Sequence, residues 1–275
     1  MYNFSTTQIL MILRSMIASP IRTCAVLLLA AFVLGGCRSS QEAQTAERLQ
    51  REGWTPLFNG GDLSEWTFRN EAAKEVWRVK NGVIDCEPKA LPRVGKHLWS
   101  KSSFGDFRLH VEWRITGTKG GKHTMPLLQA DGSPRRDDNG EVINVQRRNA
   151  DSGLYLRGTQ DVQTNIWRWP VGSGEVYRYR TNDDLPSEVR AGVTPSTRAD
   201  KPIGEWNTFV ITMRGERLTV ELNGETVIDE AQLPGVPAEG PIALQHHGGY
   251  NEETGEWSSA SSLVQFRNIF VKRLQ

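Results

Sequence analysis

The chain has 275 residues, with 33 Lys and Arg against 32 Asp and Glu, a formal net charge of +1. So even a balance excludes partners that need a concentrated basic surface, nucleic acid first among them. Nine Trp and 26 Gly suit strands, tight turns and aromatic surfaces.

Arg14 and Arg22 precede an apolar run from Ala25 to Leu34. About ten residues cannot cross a hydrocarbon core of ~30 Å as a helix, but they match the apolar part of a secretory signal. Leu34-Gly35-Gly36-Cys37 follows at once and is similar to a lipobox, after which Cys37 is the lipidated first residue. Residues 1–36 are therefore read as a cleaved lipoprotein signal, with Met11 or Met16 as alternative starts. Acyl chains anchor a protein by burying methylenes, at ~0.8 kcal/mol each. The expectation is an exported domain that folds in water, touches a bacterial membrane only through its lipid, and faces the periplasm or the cell surface.

Residues 37–52 are polar, without an apolar face large enough to pack, and read as a partly helical tether. With Cys24 in the signal and Cys37 lipidated, Cys86 is the one cysteine left, so the mature chain holds no internal disulfide. Cys86 ends the strand-like run Val83-Ile84-Asp85-Cys86 and is read as a small buried residue.

Residues 53–275 read as one domain of short strands. Val76 to Val79 and Val83 to Asp85 flank the turn Asn81-Gly82. From Phe107 to Ile115, Phe107, Leu109, Val111, Trp113 and Ile115 share one face, and Arg108, His110, Glu112 and Arg114 the other. Residues 117–149 interrupt this rhythm with Gly and charge, as a functional loop, a hairpin excursion or disorder would, with turns at Asp131-Gly132 and Asn139-Gly140. Asp137 to Glu141 lacks the spacing of a calcium loop. Thr208 to Met213, Arg217 to Leu222, Thr226 to Ile228, Ile242 to Gln245 and Leu263 to Val271 are further strands. No long amphipathic helix follows residue 52, so the pattern predicts an all-β sandwich or barrel.

Gly53-Trp54-Thr55-Pro56-Leu57-Phe58-Asn59-Gly60 and Asp62-Leu63-Ser64-Glu65-Trp66 resemble the opening of the 3-keto-disaccharide hydrolase family, also described as 3-keto-glucoside lyase/hydratase domains. Further matches follow in order, among them Phe104 to Phe107 running into Glu112 to Ile115, Asp151 to Gly158, Asp161-Val162-Gln163, Gly204 to Asn207, Gly240 to Gly248 and Val264 to Ile269. The resemblance covers 53–275 and implies a concanavalin-like double-sheet sandwich, of jelly-roll type, acting on oxidised glucosides. The chain departs from the family at Asp151, where Asn is usual, at Asp161, where Glu is common, and in the long 117–149 insertion.

The implied reaction starts at a ketone on sugar carbon 3, which acidifies the hydrogen on carbon 2. A base removes it, the group on carbon 1 leaves by β-elimination, and water adds to the unsaturated ring. A base, an acid and a partner for the enolate oxygen are needed. Alternation sets the family-matching polar residues opposite apolar ones, where a sheet face could gather them. Glu112 and His247 are the candidate base or acid, and Arg157 the enolate partner. Tyr155, Asp161, Gln163, Gln245 and His246 are candidates for binding hydroxyls, and Trp167 and Trp169 for stacking on a sugar face. No cofactor is assigned; a divalent ion on His and carboxylate ligands is an alternative. The rival reading is a non-catalytic, lectin-like carbohydrate-binding lipoprotein. A laminarinase-type glycosidase ranks last, because its Glu-x-Asp-x-x-Glu strand motif is absent.

Overall fold

The structure is a computed structural model describing residues 40–87, 96–258 and 260–275. The signal segment and Cys37 lie outside these residues. In chain order the elements are α1 (Ser40–Arg51), β1 (Thr55–Pro56), β2 (Trp66–Phe68), β3 (Trp77–Lys80), β4 (Val83–Cys86), β5 (Leu98–Phe104), β6 (Phe107–Ile115), β7 (Lys122–Pro126) and β8 (Asn144–Arg148). Then follow β9 (Asp151–Tyr155), β10 (Gln163–Trp167), α2 (Tyr177–Arg180), α3 (Ser187–Gly192), β11 (Asn207–Arg214), β12 (Arg217–Leu222), β13 (Glu225–Gln232), β14 (Gly240–Leu244), β15 (Tyr250–Asn251), β16 (Glu256–Trp257) and β17 (Val264–Arg273).

Two antiparallel sheets pack face to face, as the sequence predicts. One has eight strands, in the order β13-β12-β11-β6-β17-β4-β3 with β1 added beside β17; the other runs β10-β9-β14-β5-β2. The alternation of β6 carries through. Phe107, Leu109, Val111 and Trp113 are buried between the sheets, opposite Met213, Ile211, Phe209 and Asn207 of β11. From the smaller sheet, Leu98, Leu154, Ile166, Ile242 and Leu244 enter the same core. Asn81-Gly82 and Asn223-Gly224 have positive φ at both positions (52° and 79°, 55° and 89°), as hairpin turns matched to strand twist require.

The 117–149 insertion is a long hairpin. β7 pairs with β8, and bridges at Leu128–Pro134 and Arg136–Val142 extend the ladder. The carboxylate of Asp137 accepts the amides of Asn139 and Glu141, so it shapes a turn.

One expectation is overturned at the N-terminal side. Ser40–Arg51 is a helix docked on the outer face of the eight-stranded sheet, where the sequence reading saw no packing face. Ala46 and Leu49, three apart on one side of the helix, pack with Trp54 and Phe270. Glu42 pairs with Arg267, and the Lys272 ammonium donates to the carbonyl of Glu52 at 2.9 Å. One buried Leu stabilises by about 2 kcal/mol, so a narrow apolar stripe with two polar clamps is enough to dock a short helix.

Candidate functional site

The outer face of the five-stranded sheet collects most of the expected polar residues. Facing pairs Tyr155–Gln163 and Gly153–Asn165 join β9 to β10, and Ala243 of β14 pairs with Tyr155. Beyond β14, the Gln245 amide bonds the carbonyl of Gly153 at 2.9 Å, which continues the ladder and sets the Gln245 side chain beside Tyr155. There Gln245 Nε2 donates to the Tyr155 hydroxyl at 2.9 Å, and Gln163 Nε2 donates to Gln245 Oε1 at 2.5 Å and to the Ser152 carbonyl at 3.2 Å. Because Tyr155 accepts from Gln245, its own O–H proton stays available to a ligand. Burial pushes that phenol up to about 12, so it remains a donor. Gly153 leaves room for this network: a Cβ there would lie 2.5 Å from Gln163 Nε2 and 2.8 Å from the Thr164 carbonyl.

Asp151 and His247 stand next to this floor. Buried Ser262 ties their backbones together, its hydroxyl donating to the Asp151 carbonyl and accepting the His247 amide, both at 2.6 Å. Enclosure by protein raises the Asp151 carboxyl to about 6, against the opposing pull of His247. The His247 ring places Nδ1 2.6 Å from the Ala260 carbonyl. A carbonyl only accepts, so the proton sits on Nδ1 and Nε2 is the basic atom. His247 is exposed and Asp151 partly so. Two ionisable groups thus share one outer face with a set of polar side chains.

On the other side of the floor, Trp99 stacks with Tyr155 at 6.2 Å between centroids, and the Arg69 guanidinium lies 3.5 Å over Trp99. His97 packs edge-on against Tyr155 at 4.9 Å. Burial, with Arg69, His247 and Lys96 nearby, lowers His97 to about 4. His246 is not available to a sugar as expected. Its side chain is 4% exposed, neither ring nitrogen has a partner, and burial lowers it to about 3. It follows Gln245 in the chain, so the alternation that turns Gln245 outward turns His246 inward.

Trp167 and Trp169 stack at 4.5 Å, with Tyr177 edge-on to both at 5.9 Å. Trp167 is buried and donates to the Gly172 carbonyl at 2.7 Å, so of the two expected platform residues only Trp169 keeps accessible surface. A 740 Å³ groove beside this cluster runs past Tyr177, Arg178, Asn182 and Pro234. A second cavity, of 620 Å³, lies between the β15–β16 hairpin and the end of β4. Neither is lined by Asp151 or His247.

Three expected residues lie elsewhere. Glu112 is on the outer face of the other sheet, under α1. Its oxygens accept Arg267 Nε at 2.6 Å and Asn268 Nδ2 at 3.0 Å. Arg157 is 2% exposed and donates to the carbonyls of Gly105, Gly215 and Pro237 and to the Asp106 carboxylate. Each of its three guanidinium nitrogens is thus engaged in joining loops. Asp161 is exposed in an ion pair with Arg178 at 3.2 Å, and both line the 740 Å³ groove. Glu112, Arg157 and His247 therefore share no pocket. Asp151, Arg69 and His97 take part in the face without having been singled out. Asp151 carried a signal, as a family departure, and His97 is two residues from Trp99, on the same side of the strand. Among the described residues no group of three or more His, Cys, Asp or Glu is close enough to hold a metal ion.

A double antiparallel sandwich with a carboxyl and an imidazole set among polar and aromatic side chains on one outer face has the makings of a carbohydrate-active protein. Residues 53–272 match the family of 3-keto-alpha-glucoside-1,2-lyase-like domains. The chain belongs to that family and is thereby a carbohydrate-active enzyme. No curated protein matches the sequence. Among solved structures, two proteins from Parabacteroides distasonis, provisionally assigned as glycosyl hydrolases, are similar. One is 20% identical, with 80% of this chain and 84% of that chain covered and a TM-score of 0.50. The other is 17% identical, with 87% and 99% covered and a TM-score of 0.50. At these identities the likeness is one of fold.

Proposed function

We propose that the protein cleaves 3-keto-glycosides by elimination and hydration, with His247 and Asp151 as its proton-transfer pair. The observation that carries this reading is the link that Ser262 makes between the backbones of those two residues, beside the Tyr155–Gln245–Gln163 network. His247 Nε2 removes the proton on carbon 2, and the C–H electron pair passes to the ketone oxygen as an enolate. As the ketone re-forms, the bond from carbon 1 to its oxygen breaks with the electron pair on oxygen, and protonated Asp151 supplies that oxygen's proton. Water then adds across the new double bond, its hydroxyl to carbon 1 and its proton to carbon 2. Tyr155, Gln163 and Gln245 hold the ring hydroxyls. A carboxyl raised to about 6 keeps a usable protonated fraction near neutrality, as a general acid needs.

The test is to incubate the protein with a 3-keto-glucoside and its unoxidised parent and follow aglycone release by chromatography and the unsaturated sugar by NMR. Release from the 3-keto compound alone is expected. Binding of both without release from either would refute catalysis and leave a lectin-like protein.

We also propose export and lipid attachment at Cys37, on the strength of the apolar run and Gly35-Gly36-Cys37. Mass spectrometry of the protein from membranes checks this: Cys37→Ser should abolish acylation, and an unmodified Cys37 in the original chain would refute it.

A further inference from the structure

We propose that His97 is the hydrogen-bond donor for the enolate oxygen, acting from Nε2 as a neutral imidazole. This rests on the elimination reading and supplies the partner that the buried Arg157 cannot. The argument starts with the tautomer. The His246 amide donates to His97 Nδ1 at 3.4 Å. Nδ1 is then an acceptor, and the ring proton of the neutral form is on Nε2.

The second point is placement. His97 and Trp99 are two apart in an extended segment, so both face outward from the five-stranded sheet. His97 is wedged edge-on against Tyr155 at 4.9 Å and Trp99 at 6.3 Å, which fixes the plane of the ring. Its Nε2 bonds no described residue, and the residue keeps 6% of its surface exposed. A fixed N–H therefore lies against the Tyr155 ring, with no acceptor among the described residues.

The third point is the charge around it. Burial opposes a proton on His97 most strongly, and Arg69, His247 and Lys96 oppose it further. The ring is neutral near neutral pH. A neutral donor does not give its proton away to the substrate oxygen; it stabilises the enolate while it lasts and releases the ketone when the leaving group departs. Arg69 is spread over Trp99 and contributes positive field to the same patch.

Two substitutions separate the donor from the wedge. His97→Phe keeps an aromatic ring against Tyr155 and removes the N–H. His97→Gln restores a neutral side-chain donor. The readouts are glycoside cleavage and deuterium uptake at carbon 2 of a 3-keto-1-deoxyglucose, which has no leaving group and so reports enolate formation alone. For the Phe variant both rates should fall by about 10²–10³, as when one oxyanion donor is removed, with KM nearly unchanged. The Gln variant should recover most of the loss. Because His97 does not titrate near neutral pH, the pH profile there should drop in height without moving. Uptake in His97→Phe as fast as in the unaltered protein, or a Gln variant as slow as the Phe variant, would overturn the assignment while leaving the elimination reading standing. If the unaltered protein neither cleaves nor exchanges any 3-keto sugar, both readings fall together.

Discussion

Asp151→Asn tests the acid–base assignment through stability as well as rate. The carboxyl moves from 3.8 to about 6 on folding, and each unit of such a shift is worth about 1.4 kcal/mol. The sign follows from the raised folded value. Below about pH 4 both folded and unfolded states hold the proton, and the group costs nothing. As pH rises through about 6, the unfolded chain ionises first, and stability is lost until the folded carboxyl has ionised too. The full shift would amount to about 3 kcal/mol, and solvent screening of a partly exposed side chain reduces this to roughly 1–2 kcal/mol. Asn carries no such cost. The variant should match the unaltered protein at pH 4 and melt about 2–8 °C higher at pH 8, at roughly 2–4 °C per kcal/mol for a domain of this size. It should also lose about 10²–10⁴ in turnover, the usual worth of a general acid. In the unaltered protein, turnover should decline as pH rises through about 6 and Asp151 gives up its proton. Calorimetric melts at the two pH values, with initial rates on a 3-keto-glucoside, decide the matter. A variant that gains no stability at pH 8, or that keeps its turnover, would show that Asp151 is neither desolvated nor the acid.

Glu112→Gln breaks a charge-assisted contact to Arg267, with both side chains well under a third exposed. It should cost about 2 kcal/mol with unchanged kcat; lost turnover at an unchanged melting temperature would return Glu112 to the reaction. Arg157→Met strands three carbonyl acceptors and Asp106. A loss of about 3–5 kcal/mol in denaturant unfolding is expected, with KM and kcat of the folded fraction preserved; a selective fall in kcat would contradict this. Gly153→Ala drives a methyl group into Gln163 and the Thr164 carbonyl, so KM should rise with a stability loss of about 1–3 kcal/mol. Unaltered KM would show that the Gln163–Gln245 contact does not bind the sugar.

The fold was legible because it rests on local signals that the tertiary structure leaves intact. The five apolar positions of 107–115 all went inward, and Asn-Gly pairs turned the hairpins. The site was legible only in part, and the reason is geometric. Alternation says which residues point away from the core, but a double sandwich has two outer faces, and a strand's sheet is settled by pairing across the chain. Glu112 obeys the alternation and is simply on the other outer face, since β6 pairs with β11 and β17. Arg157 fails for a different reason. It lies beyond the end of β9 with φ 50°, a left-handed turn that breaks the strand parity linking it to Tyr155. The helix Ser40–Arg51 escaped because its apolar stripe is completed by Trp54 and Phe270, the latter from the far end of the chain.

The docked helix bears on function through the face it closes. His110 would otherwise present a polar outer surface on the larger sheet, much as Tyr155 and Gln163 do on the smaller. Instead Trp54 packs edge-on against His110 at 6.4 Å, Arg108 lies 5.5 Å over Trp54, and Arg267 holds Glu42 and Glu112 together. The acidic and aromatic groups there are consumed by packing, so the proton-transfer pair proposed for the smaller sheet has no counterpart on that face among the described residues.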